Sequence, residues 1–171
     1  MIDAMLRPLR RADIAAAEKL QALCYPPALR DSAAALRSRL DIAGQCCFAA
    51  LFAALIDDTL IGYILAHPWP RLCPPPVDTV LGTPPSAPDV HYIHDLSIDP
   101  AMRGTGLGRA LVTVSQDLAR QAGLARSELI AVAGAAPFWH TLGYEAVPTD
   151  ERLAAKVRAY GEEARYLARP L

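Results

Sequence analysis

Seventeen basic residues against eighteen acidic ones leave the 171-residue chain at a formal charge of -1, so no basic surplus exists to condense on a phosphate backbone. Nucleic acid is excluded as the expected partner. No stretch reaches the roughly 18 uninterrupted apolar residues of a membrane span, and the start, MIDAMLRPLRRADIAAAEKL, lacks a long apolar run of the signal-peptide kind. The expectation is a cytoplasmic protein with no membrane partner. Cys24, Cys46, Cys47 and Cys73 form neither a C-x-x-C pair nor a disulfide framework, and are read as reduced packing residues. No metal is expected. No internal repeat is visible, and the one biased tract is rich in proline.

What is present is a folding composition: 53% hydrophobic and 20% charged residues. The length suits one domain over residues 1–171. Met5 to Leu9 reads as a strand, and Ala12 to Leu23 as a helix capped near Asp13. Ser32 to Ile42 reads as a second helix, with Leu36 and Leu40 on a face different from Arg37 and Arg39. Cys46 to Leu55 and Leu60 to Ala66 form a hairpin about Asp57-Asp58-Thr59. Residues 68–88 hold eight of the fifteen prolines, which excludes a regular helix or a central strand and predicts a long functional loop. His91 to Ile98 alternates as a strand. A helix with Leu107, Leu111, Val114 and Leu118 at 3-4 spacing runs to Gly123. Strands at Ser127 to Ala133, Tyr144 to Val147 and Ala164 to Leu171 alternate with helices at Ala135 to Leu142 and Glu151 to Tyr160. The fold class is mixed α/β.

The turn between the His91 to Ile98 strand and the helix after it, within "HDLSIDPAMRGTGLGRALV" from residue 94, carries three glycines. A strand feeding such a turn into a helix N-terminus aims unpaired amides and the positive end of the helix dipole at one point, which suits an anion. Arg103 adds a fixed charge, and a pyrophosphate fits the description. A nucleoside triphosphate loop would need Gly-Lys-Ser/Thr, whereas Gly108 is followed by Arg109 and Ala110. A dinucleotide fingerprint would need G-x-G-x-x-G early in a βαβ unit, whereas this G-x-G-x-G comes late. A turn with no ligand remains open on the motif alone.

Arg103-x-x-Gly106-x-Gly108 resembles the R/Q-x-x-G-x-G/A signature of the GNAT superfamily of acyl-CoA N-acyltransferases, and the order of elements from Met5 to Val147 is similar to that family's. The resemblance implies a central, mostly antiparallel mixed sheet flanked by helices, with acetyl-CoA as co-substrate. It implies cofactor contacts from Leu96, Ser97, Ile98, Arg103, Gly104, Thr105, Gly106, Leu107, Gly108 and Arg109, through a strand that splays at its end. "PFWHTLGYEAV" is similar to a second landmark, a short helix ending in Phe-Tyr-x-x-x-Gly-Phe. Trp139 stands where many members carry a tyrosine thought to protonate the leaving thiolate, and an indole N–H is no acid at ordinary pH. Trp139 is kept as a cofactor contact only. Val132 stands where the family has an asparagine.

Acyl transfer to an amine needs a deprotonated nitrogen, donors for the developing oxyanion and a donor held in line. The resemblance makes the Leu96 backbone N–H the first oxyanion candidate. His94 is the candidate base, against the alternative of a core histidine bonded to the long loop. By strand alternation His94 shares a face with Tyr92, Leu96 and Ile98, and Asp95 with His91 and Ile93. His91 reads as a surface or strand-start residue. His140 and Tyr144 read as structural. Tyr25, His67, Trp69 and the proline-rich loop would rim the acceptor, whose aromatic walls suit a small, partly apolar amine. The expected function is an N-acetyltransferase acting by direct attack on a primary amine of a small molecule, or of a protein as second choice, with a homodimer left open. The competing reading is a CoA-binding module of the same fold with little catalysis.

Overall fold

The computed structural model describes residues 4–45 and 52–171. A seven-stranded sheet in the order β1-β2-β3-β4-β5-β7-β6 organises them. Its strands are β1 Met5–Pro8, β2 Phe52–Ile56, β3 Thr59–Trp69, β4 Val90–Ile98, β5 Arg126–Ala131, β6 Glu145–Ala146 and β7 Arg165–Pro170. Among the described residues only β4 and β5 pair in parallel. The helices are α1 Ile14–Cys24, α2 Ala33–Gln45, α3 Leu107–Gln121, α4 Ala136–Thr141 and α5 Glu151–Arg158. The mixed, mostly antiparallel sheet is the one expected. Cys46 and Cys47, and the first half of the expected Cys46 to Leu55 strand, lie outside the described residues.

Local chemistry accounts for the boundaries. Ser32 caps α2 through Oγ to the Ala35 N–H at 3.3 Å, and Asp150 caps α5 through the Leu153 N–H at 2.7 Å. Asp13 does not cap α1: its carboxylate takes the Arg7 guanidinium at 2.7 and 2.8 Å and the Arg10 N–H at 2.7 Å, fastening β1 to the turn before the helix. Along α3 the buried Leu107, Leu111, Val112, Ser115 and Ala119 make one stripe. On that side of the sheet Leu107, Leu111 and Val112 meet Ile64, Ala66 and Ile93. Ile14, Ala17 and Leu20 of α1 and Leu36 of α2 close the other side against Tyr63 and Leu65.

The strand β3 runs to Trp69, through Pro68, where the proline content predicted loop. Asp89 N–H donates to the Trp69 carbonyl, so the alternate residue Pro68 turns its nitrogen away from β4 and removes no bond from that ladder. The following segment, residues 70–89, is held down at many points. Arg39 donates to the Thr79 carbonyl at 2.8 Å, Leu81 N–H to Ser38 Oγ at 2.9 Å, Leu72 N–H to Glu128 at 2.9 Å, and the Tyr160 hydroxyl to the Pro75 carbonyl at 2.5 Å. It is a strap over α2 and α5, not a lid. Arg39, read from the α2 pattern as belonging to a face apart from Leu36, is fully buried beneath it. Of the cysteines described, Cys24 is half-buried and free as expected, while Cys73 is exposed on the strap rather than a packing residue.

Candidate active site

The parallel pairing of β4 with β5 spans His91 opposite Ser127 to Ile93 opposite Leu129 and goes no further, although β4 continues along β3 to Ile98. The two strands splay from that point. Asp99 N–H donates to the Ile61 carbonyl, and antiparallel pairs alternate between bonded and non-bonded. Ser97, opposite Tyr63, therefore bonds toward β3, while Leu96 and Ile98 turn their peptide groups into the gap. Both freed carbonyls are met by the end of α1: the Tyr25 hydroxyl donates to Leu96 at 3.0 Å, and Cys24 Sγ to Ile98 at 3.3 Å. The Leu96 N–H faces the same opening.

One side of the gap is a cleft of about 510 Å³ reaching the glycine turn. Leu96, Ile98, Arg103, Gly104, Gly106, Leu107, Gly108 and Arg109 of the expected set line it. Gly104 and Gly106 have φ of +78° and +89°, where a side chain is strained, and neither would meet an atom within 4 Å of an added Cβ. The space above them is open to a ligand. Gly108 is different: it lies in the first turn of α3, and an added Cβ would come 3.3 Å from Phe138 Cζ. Thr105 serves the turn itself, donating through Oγ1 to the Met102 carbonyl at 2.7 Å. Left-handed glycines, first-turn amides and two arginines make an open, positively charged recess that suits an anion.

On the other side lies a smaller cavity of about 120 Å³. Tyr25, Leu96, Val132, Ala135 and Phe138 line both spaces, so the two join at the splay. His94 and Asp31 lie in the wall of the smaller one. His94 Nε2 is bonded to Asp31 Oδ2, and the Asp78 N–H on the strap donates to Asp31 Oδ1 at 2.6 Å. Burial pushes the His94 imidazole below its ordinary 6.5, and the Arg39 charge adds to this against the opposing pull of Asp31. For Asp31, burial would raise the pKa, but His94 and Arg39 outweigh it and hold the carboxyl below its ordinary value. Near neutrality the pair is a neutral imidazole and a carboxylate. An ionised carboxylate only accepts, so Nε2 carries the proton and Nδ1 the lone pair.

Strand alternation does not survive through His94. The β3–β4 register shifts where Leu65 faces Asp95 and Ala66 faces Ile93, leaving His94 as the extra residue of a bulge. Tyr92, Asp95 and Ser97 lie on the α1 side, and His91, Ile93 and Leu96 on the α3 side. Ser97 thus leaves the cleft wall, with Oγ buried on Asp95 at 3.0 Å. Asp95, whose pKa burial raises, also takes the Tyr63 hydroxyl. His91 is fully buried between Ser127 Oγ and Ser115 Oγ, each at 2.8 Å, and its pKa is pushed down to about 3. It is no surface residue.

Nor do His67 and Trp69 rim the acceptor space. His67 is fully buried behind it, edge-on to Trp69 at 5.1 Å between ring centres. The strap lines none of the cavity and meets its wall from behind, at Asp31 and Tyr160. Trp139 points into the core, packed edge-to-face on Phe138 at 5.1 Å and Tyr144 at 5.3 Å; it touches the smaller cavity but not the cleft. Trp139→Tyr is therefore expected to cost about 1–3 kcal/mol of packing and lower the melting temperature by several degrees, with no gain in turnover. Thermal melting beside a thiol-release assay checks it. Tyr144 donates or accepts with Ser127 at 2.7 Å and takes the Gln116 amide at 2.8 Å, the structural role expected; the His140 ring bonds the Tyr144 carbonyl at 2.8 Å, likewise. Sequence reasoning missed Asp31, for which a lone Asp before a helix gave no signal.

A strand that parts from its parallel neighbour beside a glycine-rich helix start defines the fold class of acyl-CoA transferases. The family model "Acetyltransferase (GNAT) family" matches residues 14–144, and the chain belongs to that family. It is an acyltransferase. The NatC complex bound to Gag peptide and CoA is similar in structure, with a TM-score of 0.72 and 18% identity over 99% of both chains. So are Arabidopsis thaliana Naa50 with a bisubstrate analogue, CoA-Ac-MVNAL (0.71, 15%, covering 99% of this chain and 100% of that one), and the GphF GNAT-like decarboxylase with isobutyryl-CoA (0.71, 18%, 97% and 98%). At these identities the likeness is one of fold. No curated protein matches in sequence. Among the described residues no helix is long and apolar enough to cross a membrane.

Proposed function

We propose that the protein is an N-acetyltransferase that moves an acetyl group from acetyl-CoA to the primary amine of a small acceptor by direct attack. The observation that carries the reading is the meeting of an anion-cradling cleft and a small, partly acidic cavity at Leu96. Bound acetyl-CoA supplies the acetyl group activated as a thioester. Arg103, Arg109 and the amides from Gly104 to Gly108 hold the pyrophosphate, and Leu96 and Ile98 present peptide groups to the pantetheine arm. The Leu96 N–H donates to the acetyl oxygen as charge develops there. His94 takes the proton from the attacking nitrogen, Asp31 holds the resulting imidazolium, and collapse of the tetrahedral adduct breaks the C–S bond, so that CoA leaves as a thiolate and is protonated from solvent.

The cavity wall also selects. It carries Asp31 and Asp95 but no lysine or arginine, so an acceptor bearing its own carboxylate would meet like charge without a partner. Arg39 offers no remedy, since its terminal nitrogens are bonded to the Ala35, Thr79 and Pro76 carbonyls. Tyr25, Tyr92, Phe138, Trp139 and Tyr160 give the remaining wall an aromatic character suited to an apolar body or an ammonium face. Calorimetry with CoA and with pantetheine, followed by thiol release over an amine panel with and without carboxylates, tests the reading. Binding that needs the pyrophosphate, with turnover of uncharged-tail amines, supports it. Tight CoA binding with no turnover of any amine would favour a binding module instead, and no CoA binding would end both.

A further inference from the structure

Residues 74–76 of the strap are three consecutive prolines. Each ring fixes its own φ and removes an N–H, so the run is a stiff piece of chain that offers carbonyls and no amides. Pro74 and Pro75 are buried. Anchors stand at both ends of the run: the Leu72 N–H donates to Glu128 at 2.9 Å, and the Pro76 and Thr79 carbonyls take the Arg39 guanidinium at 3.5 and 2.8 Å. From this mount the Pro75 carbonyl takes the Tyr160 hydroxyl at 2.5 Å. Burial pushes that phenol up to about 12, so it stays a donor near neutrality.

Tyr160 follows α5, in the segment that leads from β6 to β7, and it lines the smaller cavity. Tyr25, Leu96, Val132, Ala135 and Phe138 face both spaces and mark the end where the cavity meets the cleft. Tyr160 faces the smaller space alone, so it stands away from that junction. Tyr92 and Trp139, the other aromatic rings that line only this space, are buried in the core, whereas Tyr160 is half-buried and belongs to the outer wall. At about 120 Å³ the cavity is smaller than the roughly 150 Å³ that takes a benzene ring, which limits an enclosed body to about five heavy atoms while this wall holds.

We propose that Tyr160, mounted on the proline run, sets the size limit of the acceptor, and that the acceptors are short amines of about five heavy atoms or fewer. An amine attacking at Leu96 extends its body away from the cleft, toward the residues that line the smaller space alone. Tyr160 is then a specificity-determining residue and Pro75 a positioning residue that acts through it. The chain's densest run of proline thereby acts on the acceptor without touching it. The nature of the acceptor as an amine rests on the proposed acetyltransferase reading; the wall does not.

A series of n-alkylamines from ethylamine to octylamine, measured by thiol release with acetyl-CoA and by calorimetry on the protein–CoA complex, tests the limit. In the wild type, kcat/KM and affinity are expected to hold up to butylamine and to fall about tenfold or more by hexylamine; Tyr160→Ala is expected to raise the hexylamine-to-butylamine ratio about tenfold or more, at unchanged CoA affinity. Tyr160→Phe keeps the ring but loses the mount, and is expected to raise the ratio by less. An unchanged ratio in folded Tyr160→Ala would overturn the size limit; should that variant not fold, Tyr160→Leu is expected to move the ratio the same way, and a wild-type ratio there counts equally against it. A Tyr160→Phe profile identical to the wild type would overturn the role of the proline mount. Turnover with an unmoved length profile sinks the limit and spares the acetyltransferase reading. A length profile that moves in calorimetry, with no thiol release from any amine, does the reverse, and absence of both binding and turnover sinks the two together.

Discussion

Gly106→Asp is expected to reduce CoA affinity by more than about a hundredfold while leaving the protein folded. At φ of +89° the residue stands immediately before α3, with open space above it. Aspartate tolerates the left-handed region better than most residues and suits a helix start, so the fold has reason to survive. The ligand has none. A carboxylate there occupies the amides the pyrophosphate needs, and like charges about 4 Å apart repel by about 4 kcal/mol at an effective dielectric constant near 20. Calorimetry of CoA with the variant, beside its melting curve, reads the result. Retained affinity in a folded protein would move the anion away from this turn.

The second large effect is expected at His94, the proposed base. His94→Gln is expected to lower kcat by about 10²- to 10⁴-fold and to erase the acid limb of the pH profile. Because burial depresses the imidazole pKa, wild-type turnover should hold level above 6.5 and fall only at lower pH, as Nδ1 gains a proton and can no longer accept one. Asp31→Asn removes a carboxylate that raises that pKa, so its acid limb should move to still lower pH at a reduced plateau. An unaltered profile in either variant would return the pair to a purely structural role.

What the sequence makes legible is written in periodicity and in turns. The helix α3 ran where it was read, although its buried stripe turns toward Val112, Ser115 and Ala119 and leaves Val114 and Leu118 half-buried at its edge, and Asp57-Asp58 turns the β2–β3 hairpin with positive φ at both residues, as a two-residue connection between twisted strands requires. What failed did so where one residue's position depends on another element. Alternation assigned His94 and Asp95 to opposite faces because nothing local announces a bulge, whose extra residue is fixed by the register of β3. His91, read as a surface or strand-start residue, does stand at the start of β4, but it and Arg39 are buried because distant partners offset the cost: serines on α3 and β5 for one, the strap's carbonyls for the other. The cleft residues were legible because a backbone conformation that favours glycine leaves a mark in the sequence. The partner of His94 was not, since Asp31 is placed by Gln21, Asp78 and His94, each more than nine residues away in the chain.

The carbonyls that β4 withdraws from β5 are taken by Tyr25 and Cys24 at the end of α1, which makes this helix end a substitute for the missing neighbour strand. A sheet that could zip shut would gain ladder bonds there by closing the very opening the chemistry needs. With its acceptors already engaged from outside, β4 has little to gain from doing so. The reaction chamber is thus a product of assembly: docking of α1 both completes the core and props the doorway, so the protein acquires its opening in the same step in which it acquires its fold.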